Sequence, residues 1–166
     1  NDKIVKNALK IRPDYICIVP ENRKEITTEG GLDLNKNKNK LIEIVKKFKK
    51  AKIRTSLFVD PTIKDIKLSK LINADCIELH TGKISSLIKS KKKYNAELNR
   101  IKKSVLKATQ LKLEVHAGHG LDYKTTKVLT KVNGIEEFNI GHFIIGESIF
   151  FGLAKVIKNF KKIIRN

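Results

Sequence analysis

Apolar residues recur in two alternating patterns along this chain of 166 residues: short, nearly continuous runs, and longer segments with an apolar residue every three or four positions. The short runs predict β-strands, and the longer segments predict amphipathic helices. We predict strands over residues 15–19, 53–59, 76–80, 112–117 and 137–140. Nearly continuous apolar runs are typical of strands covered on both faces, and strand–helix alternation is typical of a parallel sheet.

Six helices are predicted between and around these strands. They cover residues 2–11, a segment with apolar positions from Leu41 to Phe48, residues 62–72, a segment from Tyr94 to Ala108, residues 124–132, and the region after Gly141-His142. The Asn–Lys alternation at 35–40 is interpreted as a surface segment that leads into the second helix. The last helix is predicted to bury one stripe, formed by Ile145, Ile149, Leu153, Val156, Phe160 and Ile163.

The number of strand–helix units limits the fold class. We expect an α/β fold of the (β/α)8 TIM-barrel type, present as an incomplete barrel of about five β/α units equivalent to strands 4–8. A complete barrel takes roughly 250 residues, so five units cannot close one. We therefore expect residues 1–166 to be a single domain, a partial barrel that lacks its N-terminal strands. The chain begins with Asn1 and contains no Met, which suggests a piece of a longer protein.

The net charge of +19 and the pI near 10.0 raise the hypothesis of a nucleic-acid partner. The lysines are spread over nearly every predicted helix, and aromatic residues make up only 6% with no Trp, so stacking on bases is poorly supported. We instead expect anionic small-molecule substrates, no nucleic acid and no membrane. Cys17 and Cys76 lie in apolar runs, as reduced buried thiols of a cytoplasmic protein would.

Titratable residues lie in or directly after two of the predicted strands. His119 lies in a glycine-flanked turn, Ala117-Gly118-His119-Gly120, where α/β enzymes place an acid or a base. Glu78 would face the barrel interior near its rim, although a glutamate that merely reaches water is about equally compatible with its position. His80 and His116 are interpreted as lining or hydrogen-bonded residues.

Two other segments carry features of anion binding. Gly141-His142 lies where a strand passes into a helix, and the free N–H groups of a helix N-terminus favour phosphate. The simpler alternative is that Gly120 and Gly141 serve only tight turns. The Thr27-Thr28-Glu29-Gly30-Gly31 loop fits a sugar hydroxyl, a phosphate, or only a turn. Motifs for zinc, nucleoside triphosphates and dinucleotides are absent from the sequence.

Taken together, these segments resemble the pyridoxine 5′-phosphate synthase family, and we interpret the chain as the C-terminal two-thirds of such an enzyme. The matching stretches are Val19-Pro20-Glu21, Thr27-Thr28-Glu29-Gly30-Gly31-Leu32-Asp33, Ser56-Leu57-Phe58-Val59-Asp60, Ile77-Glu78-Leu79-His80-Thr81-Gly82, Ala117-Gly118-His119-Gly120-Leu121, Asn139-Ile140-Gly141-His142 and Gly152-Leu153.

The resemblance implies a (β/α)8 barrel, usually a homo-octamer, that needs no metal and no organic cofactor. It implies condensation of 1-deoxy-D-xylulose 5-phosphate with 3-amino-2-oxopropyl phosphate to pyridoxine 5′-phosphate, phosphate and water. It further implies that Thr27 contacts the deoxyxylulose phosphate, Glu78 stabilises developing charge and His119 donates a proton. The aminoketone phosphate would be held by Gly120, Gly141 and His142.

The chain departs from the family pattern in three respects. The family's earlier acid–base motifs on its first three strands are absent, so we expect these 166 residues alone to be inactive. His116 stands where a small or amide residue is usual, so its imidazole would crowd or perturb the site, and Glu147 stands where a basic residue is common. The rival hypotheses are another phosphate-binding TIM-barrel enzyme and a non-catalytic basic module that binds nucleic acid.

Overall fold

Five parallel strands form one sheet in the computed structural model, which describes residues 2–20 and 30–165. The strands are β1 (Tyr15–Ile18), β2 (Arg54–Val59), β3 (Cys76–His80), β4 (Glu114–Gly118) and β5 (Glu137–Asn139). Their order in the sheet is their order in the chain, and every neighbouring pair is parallel. The predicted α/β class is confirmed, and the sequential parallel order is that of an incomplete barrel.

Helices precede the first strand, separate the later strands and end the chain within the described residues. They are α1 (Asp2–Ile11), α2 (Leu34–Lys50), α3 (Ile63–Leu71), α4 (Gly82–Lys89), α5 (Asn95–Gln110), α6 (Tyr123–Leu129), α7 (His142–Phe151) and α8 (Leu153–Arg165). Among the helices in the described parts of the chain, none combines the length and the apolar character that a membrane span requires.

Alternation along the strands separates an apolar face from a polar one. Leu57, Leu79 and Val115 belong to the hydrophobic core and are at most 1% exposed. The residues at alternate positions, among them Ser56, Glu78 and His116, occupy the opposite face, because successive strand side chains point to opposite sides. The helices therefore cover the apolar face, and the polar residues line the concave side.

The Asn–Lys segment at 35–40 lies at the surface as predicted, but it forms the first turns of α2 and does not precede the helix. Asp33 caps α2, and its side chain accepts a hydrogen bond from the Lys36 backbone N–H at 3.0 Å. A capped N-terminus lets polar residues begin a helix whose later turns are anchored by buried Leu41 and Val45.

The strand predicted at 112–117 begins only at Glu114. Leu111 caps α5, Lys112 has a φ of 55°, and the Leu113 backbone N–H donates to the Ala108 carbonyl at 3.0 Å. The first residues of the alternating segment therefore form the end of a helix and a left-handed turn, and the strand starts after them. Helix α4 was missed, because the 82–89 segment carries no long apolar period.

The predicted final helix is two helices, α7 and α8, separated at Gly152, whose φ is 78°. The prediction of a buried apolar stripe along this segment was partly wrong. Ile145, Ile149 and Leu153 are 64%, 78% and 54% exposed, whereas Val156 and Phe160 are buried. The turn at Gly152 changes the direction of the chain, so a single helical period does not continue across it.

Candidate active site

The Glu78 carboxylate lies among polar groups on the concave side of the sheet. Its Oε2 accepts hydrogen bonds from Asn139 Nδ2 at 2.8 Å and from Cys17 Sγ at 3.6 Å. Burial raises the pKa of the Glu78 carboxyl, while these two hydrogen bonds oppose the rise. The three residues belong to β3, β5 and β1, so the curved sheet brings together groups that are far apart in sequence.

Gly118 makes the contact between Glu78 and Asn139 possible. Strand β4 lies between β3 and β5, and Gly118 is paired with Asn139 in the register. A Cβ atom on Gly118 would lie 1.9 Å from Glu78 Oε1 and 3.3 Å from Asn139 Cβ. Because Gly118 has no side chain, the Glu78 carboxylate can extend over β4 and reach Asn139 on β5.

His119 follows directly after β4 in a left-handed backbone conformation, with a φ of 76°. The Thr81 hydroxyl lies 2.7 Å from the Gly118 carbonyl oxygen and 2.8 Å from that of His119, so it is positioned to donate its hydrogen to either. Lys89 Nζ donates to the Gly120 carbonyl at 3.0 Å. A backbone conformation that costs a non-glycine residue free energy is thus held by contacts from α4 and its cap.

A cavity of 260 Å³ opens beside His119. It is bounded by the turns after β4 and β5, and its lining includes Lys89, Gly120, Asn139, Gly141 and His142. Gly141 is the N-cap of α7, and no side chain satisfies the first N–H groups of that helix through its cap. The structure therefore confirms that Gly141 precedes a helix, and this wall of the cavity favours an anion.

The pKa of the His119 imidazole is held below its ordinary value of 6.5. Burial is the largest cause, followed by the charges of His80 and Lys89. His119 is consequently more often neutral than a free histidine at the same pH. A bound phosphate would counteract the neighbouring charges and raise its pKa.

His80 and His116, expected to line the site or to be hydrogen-bonded, are both buried. The His80 ring lies 4.9 Å from the His119 ring between centroids. His116 contacts Glu114 Oε1 at 2.8 Å and the Tyr15 hydroxyl at 3.1 Å, and these two residues begin β4 and β1. The contacts of His116 therefore lie toward the amino-terminal edge of the sheet, and its effect on the site is a charge that lowers the pKa of Glu78.

The structure brings Glu78, His119, Gly120, Gly141 and His142 to the carboxyl end of the sheet. Thr27 lies outside the described residues. Sequence reasoning did not identify Asn139, Thr81, Lys89 or Asp60 as parts of this region. Asn139 and Asp60 each stand at or just after the end of a strand, and this signal could have found them. The reach of Lys89 from the end of α4 has no comparable signal, because α4 was not predicted.

The whole chain, residues 1–166, matches the model of a protein family described as pyridoxal phosphate biosynthesis protein PdxJ. The chain belongs to this family. It is similar to pyridoxine 5'-phosphate synthase of Pelagibacter ubique, with 61% identity over 163 residues that cover 98% of this chain and 68% of the relative. The predicted membership of a pyridoxine 5′-phosphate synthase family of enzymes is confirmed, and the match is not confined to a part of this chain.

Two further relatives carry the same name. The synthase of Prochlorococcus marinus is 44% identical and that of Blochmanniella pennsylvanica 46% identical, each over 99% of this chain and 67% of the relative. The chain thus spans about two thirds of the length of these relatives. Among solved structures, coproporphyrinogen III oxidase from Escherichia coli is similar at 11% identity and a TM-score of 0.44, over 93% of this chain and 39% of that one, a likeness too low to indicate a shared fold.

Proposed function

We propose that the protein carrying this chain is a pyridoxine 5′-phosphate synthase that condenses 1-deoxy-D-xylulose 5-phosphate with 3-amino-2-oxopropyl phosphate. The products are pyridoxine 5′-phosphate, inorganic phosphate and water. The observation that carries the proposal is the 61% identity to a synthase over 98% of the chain. The meeting of Glu78, His119 and an anion cavity at one edge of the sheet is compatible with this chemistry.

The 260 Å³ cavity beside His119 is proposed to hold the aminoketone phosphate. The amides of Gly120 and those at the start of α7, with His142, would face the phosphate, and Lys89 adds a positive charge on the same wall. Backbone N–H groups and the helix dipole favour a dianion at this position. Thr27 is proposed to contact the other substrate's phosphate.

His119 is proposed to be the proton donor. In the free protein its pKa is lowered, so a donor must first gain a proton at neutral pH. Phosphate binding in the adjacent cavity adds negative charge near the ring and favours its protonated form. Substrate binding would therefore prepare the acid that the reaction uses, and release of the phosphorylated product would return the ring to its neutral form.

Glu78 is proposed to stabilise positive charge that develops during condensation and ring closure. The amine–ketone condensation passes through a cationic imine-like species, for which a carboxylate is an electrostatic partner. Asn139 donates a hydrogen bond to this carboxylate at 2.8 Å and also lines the cavity, so it connects Glu78 with the proposed phosphate site. We further propose that β1–β5 correspond to strands 4–8 of a (β/α)8 barrel, and that the protein is a cytoplasmic homo-octamer.

The role of His119 is tested with His119→Asn in the full-length protein, because Asn tolerates the left-handed backbone better than Ala. Loss of a general acid is expected to lower kcat by about 10²–10⁴-fold. The matched control is His142→Asn, which is expected to raise KM for the aminoketone phosphate more than it lowers kcat. Near-wild-type kcat in His119→Asn would exclude the acid role. If the wild-type protein turned over unrelated sugar phosphates but not the two named substrates, the proposed reaction would be excluded.

A further inference from the structure

A second histidine is packed against the proposed proton donor. His80 ends β3 and is 9% exposed, and its ring contacts those of Phe58 and His119, with centroid distances of 5.4 Å and 4.9 Å. Gly82 lies beside both imidazoles, since a Cβ atom there would be 2.8 Å from His80 Nε2 and 2.9 Å from His119 Cδ2. The absence of a side chain at Gly82 therefore leaves room for both imidazoles.

Asp60 determines which nitrogen of His80 carries the proton. Its Oδ1 lies 3.4 Å from His80 Nδ1, and hydrogen bonding from His80 is the largest cause that lowers the pKa of Asp60. Asp60 is itself held, because Oδ1 also accepts from the Gly31 backbone N–H at 3.3 Å. A carboxylate beside Nδ1 favours the tautomer with hydrogen on Nδ1, which leaves Nε2 as a bare acceptor.

Nε2 of His80 is buried and has no hydrogen-bond partner among the described residues. A buried polar atom without a partner costs free energy, so its retention calls for an explanation. Besides Asp60 at Nδ1, the imidazole of His119 is packed against this ring. An acceptor at Nε2 can receive a hydrogen bond from an adjacent protonated imidazole once that ring turns slightly.

We propose that His80, oriented by Asp60, is a positioning residue that holds the imidazole of His119 in the orientation from which it transfers its proton. This inference rests on the proposed function, because it deepens the role given there to His119. The order Asp60, His80, His119 follows the carboxyl ends of β2, β3 and β4 in sequence. Asp60 would orient the His80 imidazole, and His80 would orient that of His119. Catalytic bases in other enzymes are likewise oriented by a third group.

The charges around His119 come from several elements. Lys89 approaches from α4 and lowers the pKa of His119, and His80 at the end of β3 does so when it carries a charge. Asp60, from the end of β2, faces His80 rather than His119, and Arg100 on α5 lowers the pKa of Asp60. In the proposed arrangement His80 is neutral and accepts a hydrogen bond from protonated His119, which favours the charged form of the His119 ring. Removing the His80 imidazole is therefore expected to lower the pKa of His119 further, in the direction in which burial and Lys89 already act.

The test compares His80→Phe with His80→Gln in the full-length protein. Phe keeps a ring between Phe58 and His119 but has no nitrogen, whereas Gln places an amide near the position of Nε2. His80→Phe is expected to lower kcat by about 10- to 100-fold with KM nearly unchanged, the range found when an orienting partner is removed. His80→Gln is expected to recover part of this loss. A role in packing alone predicts the reverse order of the two variants.

A second readout follows the His119 ring directly. Nitrogen chemical shifts of labelled histidine, measured against pH, report its pKa and tautomer without any turnover. The expected result is a lower pKa of His119 in His80→Phe than in the wild type, and a descending limb of the kcat profile that moves to lower pH. The conservative charge control is Asp14→Asn, which removes an exposed carboxylate just before β1, at the other edge of the sheet.

Wild-type kcat and unchanged His119 shifts in His80→Phe would overturn the inference, and so would an effect on KM alone. If His80→Phe does not fold, the shifts and kcat of His80→Gln and Asp60→Asn decide in its place. A wild-type protein that fails to turn over the two named phosphates would refute the proposed function. The His119 shifts would still decide whether His80 positions that ring.

Discussion

Gly118→Ala is the substitution for which the structure gives the most definite expectation. Gly118 has no positive φ, so an alanine there is not excluded by the backbone. The new methyl group would however lie 1.9 Å from Glu78 Oε1 and 2.8 Å from Cδ of the same carboxyl. Contacts below 3.0 Å do not occur for real Cβ atoms, so the carboxylate must move away from Asn139.

The size of the effect follows from what the movement breaks. Oε1 must shift from 1.9 Å to at least 3.0 Å from the methyl group, and the 2.8 Å hydrogen bond from Asn139 to Oε2 is lost or bent. A hydrogen bond to a charged group contributes about 1.5–3 kcal/mol to stability, which sets the expected loss in the free energy of unfolding. A displacement of about 1 Å in an active site can reduce the rate by about 10²-fold.

The assay measures kcat and the free energy of unfolding of Gly118→Ala in the full-length protein. Gly146→Ala is the matched control, because nothing lies within 4 Å of its Cβ position and it lies inside α7. Alanine in a helix is favoured over glycine by about 1 kcal/mol, so this control is expected to be stabilised with kcat unchanged. The contrast separates the contact with Glu78 from the general effect of a methyl group.

The reasoning would be refuted by a Gly118→Ala protein with wild-type kcat and wild-type stability. It would also be refuted by a crystal structure of this variant in which Glu78 still accepts the Asn139 hydrogen bond. A loss of stability without a loss of kcat would confirm the packing argument and exclude Glu78 from the reaction.

Two further predictions concern charges at the opposite edges of the sheet. Lys89→Met is expected to weaken binding of inorganic phosphate about fivefold, because an exposed charge contributes about 1 kcal/mol. Calorimetric titration measures this affinity, with Lys103→Met as the control. Equal phosphate affinities in the two variants would contradict the prediction. Hydrogen bonding from His116, and then Arg54, lowers the pKa of Glu114 below its ordinary value of 4.5. The stability that Glu114 contributes is therefore present above pH 4.5 and lost as the pH falls through the lowered pKa. Urea unfolding of Glu114→Gln should show a deficit at pH 7 that disappears in acid, and a constant deficit would contradict the assignment.

The sequence by itself determined the five strands to within two residues at each end, the class of the fold and the family. The prediction for 76–80 agrees with β3 to the residue, because the apolar run and its polar flanks are local signals. Gly141 was predicted to begin a helix, and α7 begins at His142. Glu78 and His119 were chosen because they stand near the ends of strands, and parallel strands bring those ends to one edge.

Only the tertiary structure decided how these residues meet. The hydrogen bond between Glu78 and Asn139 depends on the register of three strands, and the pairing of Asp60 with His80 depends on the turn after β2. The local period of apolar residues predicts neither the register between strands nor the curvature of the sheet. The exposure of Ile149 shows the same limit, since an apolar period predicts a face but not the element that covers it. Local periodicity determines which residues share a face, whereas contacts between distant strands determine which of them act together.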